Sequence, residues 1–246
     1  MTGDISNAYF QCEELDRLLL LKPPKGIPDP DYEDGEAMIL ARVPIYGTSD
    51  AGRKFWQKFR TAITESGFRE NKIAQALYIL EEDGDIKGML ITHVDDLCWA
   101  VKPGYEKPIN EILEKFVVKK VEETKFRFCG KDIEQMPNMS MRVTCVDAIE
   151  TIGALKYSAN KRKADDNATE AEIAQMRSVI GSLGWIARQC HPELSYGVSK
   201  GQGAVNKAKL KDLKEANQCL YTANEYRSEG LLFRSDAISW VYGTTG

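Results

Sequence analysis

The sequence predicts an α+β fold, an antiparallel sheet with helices on one face, and three observations carry that prediction. Apolar β-prone runs alternate with turn signals between about residues 76 and 101, an amphipathic stretch covers 49–66, and from Glu170 onward the chain reads as successive helices. With 246 residues the chain can bury a substantial core and form one or two domains. The expected divisions are a sheet-rich region over 1–135, a mostly helical region over 136–228, and the start of a further segment over 229–246.

The elements follow in order. Asp4 and Ile5 read as the end of a strand, after which Ser6-Asn7-Ala8-Tyr9-Phe10 turns into a short helix. Pro23-Pro24-Lys25-Gly26-Ile27-Pro28-Asp29-Pro30 breaks regular structure and makes a loop. Ser49 to Ser66 reads as a helix stopped by Gly67, with Trp56, Phe59 and Ile63 on its apolar face. Ala76 to Glu81 and Lys87 to Thr92 read as strands around an Asp83-Gly84-Asp85 turn, followed by a second turn at His93-Val94-Asp95-Asp96 and a strand from Leu97. Tyr105 to Phe116 reads as a helix crossing the sheet. Met136 to Ser140 makes a hairpin turn, Val146 to Leu155 a helix, and Lys161 to Thr169 a polar, irregular linker. Gly197, Gly201 and Gly203 then fall within helical sequence, each costing about 1 kcal/mol relative to Ala, which reads as drift. A last helix runs from about Asn206 to Tyr226 with Leu210, Leu213, Leu220 and Ala223 inward, and a short strand lies near Leu231 to Phe233.

Charge and cysteine usage narrow the class. A formal net charge of −4, from 33 basic and 37 acidic residues, excludes a uniformly basic surface. The basic stretches are Lys119-Lys120, Lys161-Arg162-Lys163 and the series Lys200, Lys207, Lys209, Lys211, Lys214. The last series reads equally well as a solvated helix face or as contacts to a phosphate backbone. Six cysteines without a Cys-x-x-Cys pair, and only two histidines, read as reduced thiols of an intracellular protein rather than a zinc site. The sequence contains no apolar run long enough to cross a bilayer, so no membrane partner is expected.

The chemistry concentrates at Asp95-Asp96. Two adjacent carboxylates between apolar strands repel each other, and this repulsion implies a counter-charge. With oxygen donors and no neighbouring zinc-type ligands, Mg²⁺ or Mn²⁺ is the simplest candidate. Asp4, at a strand end, offers a third carboxylate beside that turn, and the amides of Asn7, Ala8 and Tyr9 offer donors to a triphosphate. Each feature also has a plain structural reading: a surface Asp-Asp turn, an Asp4 helix cap, and Tyr9 and Phe10 as core aromatics.

Asp4-x-x-x-Ala8-Tyr9-Phe10 followed by Val94-Asp95-Asp96 resembles the first and third polymerase motifs of reverse transcriptases. Tyr46-Gly47, Ala51 and Arg53 are similar to the Tyr-Gly, Ala-Pro-Arg stretch of copia-type LTR retrotransposon polymerases, from which Ser49, Asp50 and Gly52 depart. Phe128-Cys129-Gly130-Lys131-Asp132-Ile133 resembles that family's primer grip, and Gly181 to Ala187 with His191 to Tyr196 a block beyond its thumb.

The resemblance implies a reverse-transcriptase palm with primer grip over 1–135, a thumb or connection region over 136–228, and the beginning of an RNase H-like segment, with the fingers missing. It implies RNA-directed DNA polymerase activity by two-metal nucleotidyl transfer, in which Asp4, Asp95 and Asp96, with the carbonyl of Ile5, hold Mg²⁺, Mn²⁺ being a possible substitute. Asn7, Ala8, Tyr9, Tyr46 and Gly47 would bind the nucleotide, Tyr9 excluding a 2′-hydroxyl, while Cys129 and Gly130 seat the primer. Lys207, Lys209, Lys211 and Lys214 would contact the nucleic-acid backbone, and His93 stands where the family carries Tyr or Phe. The implied partners are an RNA or DNA template-primer, deoxynucleoside triphosphates, and the rest of a Gag-Pol polyprotein with integrase upstream and RNase H downstream. The implied setting is the cytoplasm or a virus-like particle. Without fingers such a segment is expected to be inactive alone; the alternatives are a non-catalytic remnant that binds nucleic acid and, ranked below, a metal-dependent nuclease.

Overall fold

The computed structural model describes residues 1–24, 38–158 and 160–235, so 25–30 of the expected proline-rich loop and 236–246 of the last segment lie outside the described residues. The chain divides into two compact units, Met1–Glu123 and Thr124–Gly246. The primer-grip strands expected within 1–135 therefore belong to the second unit.

The first unit contains β1 (Thr2–Ile5), β2 (Leu20–Leu21), β3 (Ile39–Leu40), α1 (Ala51–Glu65), β4 (Arg69–Glu70), β5 (Leu77–Glu82), β6 (Asp85–His93), β7 (Asp96–Val101), α2 (Lys107–Glu114) and β8 (Val118–Glu122). Its main sheet has the order β4-β5-β6-β7-β1-β8, and every pairing in it is antiparallel. Alternation along the strands sends Tyr78, Leu90, Leu97, Trp99 and Ile5 to one face, where they meet Phe55, Phe59 and Ile63 of α1 and Ile109 and Ile112 of α2. Phe55, Phe59 and Phe116 form an aromatic cluster with ring centroids 5.3–6.2 Å apart. The inward face of α1 is thus set by Phe55, Phe59, Ala62 and Ile63. Trp56, expected there, is exposed instead and carries Arg60 over its ring. One position of rotation separates the two possible faces, and the larger patch of Phe55 with Ala62 decides it.

The second unit joins β9 (Lys125–Phe128), β10 (Lys131–Gln135), β11 (Met141–Thr144), α3 (Val146–Glu150), α4 (Glu170–Gln189), α5 (Ser195–Ala204), α6 (Leu210–Glu225) and β12 (Leu231–Phe233). The strands form a second antiparallel sheet, β12-β11-β10-β9, and Met176, Ile180, Leu183, Leu213 and Leu220 centre a helical core. Three expectations need correction here. The helix expected over 146–155 stops at Glu150, because Asn217 of α6 takes over the backbone of Leu155, accepting from its amide at 2.8 Å and donating to its carbonyl at 3.0 Å. The last helix begins at Leu210 rather than near Asn206, since Ala208 is extended and accepts from the amide of Ala168. The stretch 161–169 is irregular but is no free linker: Arg162 holds Glu172 at 2.7 and 3.1 Å, and Thr169 and Glu172 form a reciprocal cap on α4.

The glycines of α5 also have structural work, so the expectation of drift does not hold for two of them. A Cβ at Gly201 would lie 2.6 Å from Cδ1 of Ile180, and one at Gly197 would lie 3.1 Å from Sγ of Cys219, so both permit close helix contact. Gly203 faces open space. No helix among the described residues is long and apolar enough to cross a membrane.

Gly201→Val is expected to lower stability by about 1–3 kcal/mol through overpacking against Ile180. Gly203→Ala should raise it by about 1 kcal/mol, the ordinary helix preference. Urea unfolding of the two variants would test this, and equal behaviour at both positions would remove the packing role.

Candidate active site

The register of β1 against β7 builds the site. Asp4 pairs directly with Asp96, and Gly3 with Leu97 on the opposite, helix-covered face. Directly opposed residues of an antiparallel pair project to the same side, so Asp4 and Asp96 are neighbours on the open face of the sheet. The amide of Ile5 donates to the carbonyl of Asp95 at 2.9 Å, and the Thr2 hydroxyl donates to the Leu97 carbonyl at 2.6 Å. These bonds carry β1 to the very tip of the β6–β7 hairpin, bringing Asp4, Ile5, Asp95 and Asp96 together.

The hairpin closes with His93 opposite Asp96 and two residues, Val94 and Asp95, between them. Val94 adopts φ +57°, whereas Asp95 does not have positive φ, the pattern of a type II′ turn. A β-branched residue in that region is costly, of order 1–3 kcal/mol, and such strain collects at functional sites. Burial, with the charges of Asp95 and then Asp4, holds the Asp96 carboxyl above its usual range, and His93 pulls it partly back. Among the described residues no lysine or arginine pairs with Asp4, Asp95 or Asp96. Carboxylate oxygens are the donors that a hard divalent cation such as Mg²⁺ or Mn²⁺ takes, but among the described residues those of Asp4, Asp95 and Asp96 do not all lie within 4.8 Å of one another.

The turn after β1 leads into a 3₁₀ helix, Ala8–Gln11, entered through Asn7 at φ +49°. Gln11, which the sequence reading passed over, fixes this turn: its side chain donates to the Ser6 carbonyl at 2.5 Å and accepts from the Val117 amide at 2.7 Å. Tyr9 is half-buried, with its ring centroid 4.5 Å from that of Tyr46 and 6.2 Å from that of Phe55. Tyr46 in turn meets Phe10 edge-on at 5.7 Å. Desolvation followed by the charge of Asp95 holds the Tyr46 phenol above its ordinary value, the Ala8 backbone pulling it partly back. Gly47, beside it, is exposed with φ +93°.

The remaining expected residues lie in the second unit. Cys129 and Gly130 form the two-residue turn between β9 and β10, both with positive φ (50° and 75°), as a type I′ hairpin requires, and Gly130 lies against the ring of Trp185. Lys209 and Lys211 both pair with Asp165, at 3.4 and 2.8 Å, and Lys200 pairs with Glu215 at 2.8 Å. Lys207 sits in a separate 3₁₀ turn before α6, while Lys214 is exposed on that helix. The series is thus a partly neutralised surface, not one continuous basic helix face.

No protein-family model matches the chain. It is similar, at 25% identity over 213 residues, to the retrovirus-related Pol polyprotein from transposon RE2 of Arabidopsis thaliana. The match covers 80% of this chain and 14% of that protein, so the chain spans a small part of its relative.

If the three carboxylates share one field, Asp96→Asn should stabilise the cation-free protein by up to about 1 kcal/mol at neutral pH, raising the melting temperature by about 2–4 °C. The sign follows from a folded-state pKa above the unfolded one: the penalty is absent below the ordinary aspartate range and complete above the folded value, so the advantage of the variant should vanish as the pH falls toward about 4. Mg²⁺ should raise the melting temperature of the wild type more than that of the variant. Differential scanning calorimetry across pH and Mg²⁺ would check all three, and an Asp96→Asn variant indistinguishable from wild type would show independently solvated carboxylates.

Proposed function

We propose that this chain, similar over most of its length to a retrotransposon Pol polyprotein, is a reverse-transcriptase segment of a copia-type element that carries out template-directed nucleotidyl transfer. The observation that carries the reading is the in-register opposition of Asp4 and Asp96 with Asp95 at the hairpin tip between them. A nuclease reading uses the same carboxylates but leaves the paired Tyr9 and Tyr46 rings without a role.

In this reading Asp4, Asp95 and Asp96 hold Mg²⁺ together with the backbone carbonyl of Ile5. The bound cations supply a lowered pKa for the primer 3′-hydroxyl and neutralisation of the triphosphate. Tyr9 presents its ring beneath the incoming sugar and leaves no room for a 2′-hydroxyl. Tyr46, now against Tyr9, has to give way for the amides of Asn7, Ala8 and Tyr9 to meet phosphate oxygens. Gly47, exposed and in a conformation that favours glycine, is the point about which it would swing. The Cys129-Gly130 turn seats the primer, and Lys207 and Lys214, with Lys209 and Lys211 once released from Asp165, meet the nucleic-acid backbone. The protein works within a Gag-Pol polyprotein or its products, in the cytoplasm or a virus-like particle.

The test is Mg²⁺- or Mn²⁺-dependent incorporation of deoxynucleotides on a primed RNA template. The chain alone is compared with the chain joined to a fingers segment of the family, each beside its Asp95→Asn control. Incorporation by the joined protein, reduced at least about a hundredfold by Asp95→Asn, is the expected result, since an interaction worth about 2.7 kcal/mol in the transition state corresponds to that factor. A folded joined protein that binds the template-primer and incorporates nothing would replace this reading with a remnant that retains only nucleic-acid binding.

A further inference from the structure

Cys145 lies between the end of β11 and the start of α3, and Cys190 directly follows α4. Both are buried, at 0% and 1% exposure, and their sulfurs lie 2.9 Å apart within the second unit. Even carbon atoms, which are smaller, rest at about 3.5–4.0 Å, so the two thiols are in closer contact than ordinary packing requires. A disulfide, at about 2.05 Å, would need an approach of only about 0.9 Å. The carboxylate site makes no use of either residue.

We propose that Cys145 and Cys190 form an oxidative modification site, a thiol pair that hydrogen peroxide converts into a reversible disulfide. The burial of both sulfurs selects a small oxidant. Either thiol can donate to the other sulfur, so the S–H of one stabilises the thiolate of its partner, and Lys131 favours the thiolate at both. Exchanging the two roles gives the same disulfide, and Cys190 is taken as the nucleophile here. Its thiolate attacks one peroxide oxygen, the O–O bond breaks, and the departing hydroxide takes up the proton that Cys190 released, leaving a sulfenic acid on Cys190 and one water. The Cys145 sulfur then attacks the sulfenic sulfur, and its proton leaves with the displaced hydroxyl as a second water. In total the two thiols lose two electrons to the peroxide, which is reduced to two molecules of water. The bond would tie the end of the β9–β12 sheet to the C-terminal end of α4 and close a loop across 45 positions of sequence. Such a loop restricts the unfolded chain and favours the folded one.

The experiment treats the reduced full chain with hydrogen peroxide, alkylates the remaining thiols in denaturant, and maps peptides without reductant. The expected result is a Cys145–Cys190 linked peptide lighter by two hydrogens than its separate parts, released by dithiothreitol, and a melting temperature several degrees above that of the reduced protein. Cys190→Ser should abolish the linked peptide, and the wild-type map decides the matter even if that variant fails to fold. Recovery of Cys145 and Cys190 both alkylated after oxidation, or Cys190 carrying two or three oxygens without a link, would overturn the proposal, as would bridging of Cys145 to any other cysteine. A linked protein that melts no higher than the reduced one would overturn its stabilising role.

Discussion

The β1–β7 ladder is the constraint on which the candidate site depends. Shifted by one residue, it would turn Asp4 toward the helix-covered core and bring Gly3 to the open face, because side chains alternate along a strand. The register is held from both sides. The bonds from Ile5 to Asp95 and from Thr2 to Leu97 fix it along the strand, and on the core side Gly3 fits where a Cβ would come within 3.3 Å of the Trp99 ring. Trp99 and Val118 of the neighbouring strands leave little space beyond Gly3 and so favour a small residue there, which leaves position 4 on the open face beside the hairpin tip.

The second unit is organised differently, by a few buried polar contacts set in a helical core. Asn217, almost wholly buried on α6, satisfies both backbone groups of Leu155 and so ties an extended segment to a helix. Arg162 and Thr169 converge on Glu172 at the start of α4, and the guanidinium holds that carboxyl down to about 2. This contribution is complete above the ordinary glutamate value and is lost only as the pH falls from about 4.5 through about 2. The same segment accepts the amides of Leu210 and Lys211, at Asp166 and Ala164, so the start of α6 is fixed by a stretch more than forty residues earlier.

These long-range contacts explain which parts were legible in the sequence. The opposition of Asp4 to the Asp95-Asp96 turn spans more than ninety positions and was legible only through the resemblance, whereas the strand-turn-strand series from Leu77 to Val101 could be read because local alternation and turn chemistry determine it. The end of α3, the start of α6 and the outward turn of Trp56 could not, because each is decided by a partner distant in sequence: Asn217, Ala168 and the packed Phe55 cluster. The glycines of α5 were misread for the same reason, since propensity records what Gly201 costs its own helix but not what it allows Ile180 to do. Tyr46 was singled out through its resemblance, yet its contact with Tyr9 could not be read, because nothing in the local pattern joins positions 37 residues apart.

Unfavourable terms gather at one end of the first unit. Val94 holds a left-handed backbone, Asp96 is partly desolvated beside two like charges, and among the described residues no lysine or arginine pairs with them. Elsewhere in that unit charges are paired, as Arg17 with Asp50, Arg60 with Glu70 and Lys115 with Glu65. The contrast bears on the order of events in the proposed reaction. A triphosphate approaching three carboxylates would meet repulsion that the amides of a four-residue 3₁₀ turn cannot offset. In the proposed reaction, therefore, the cation would arrive first or travel with the nucleotide, because no phosphate could approach the three carboxylates before their charge is answered.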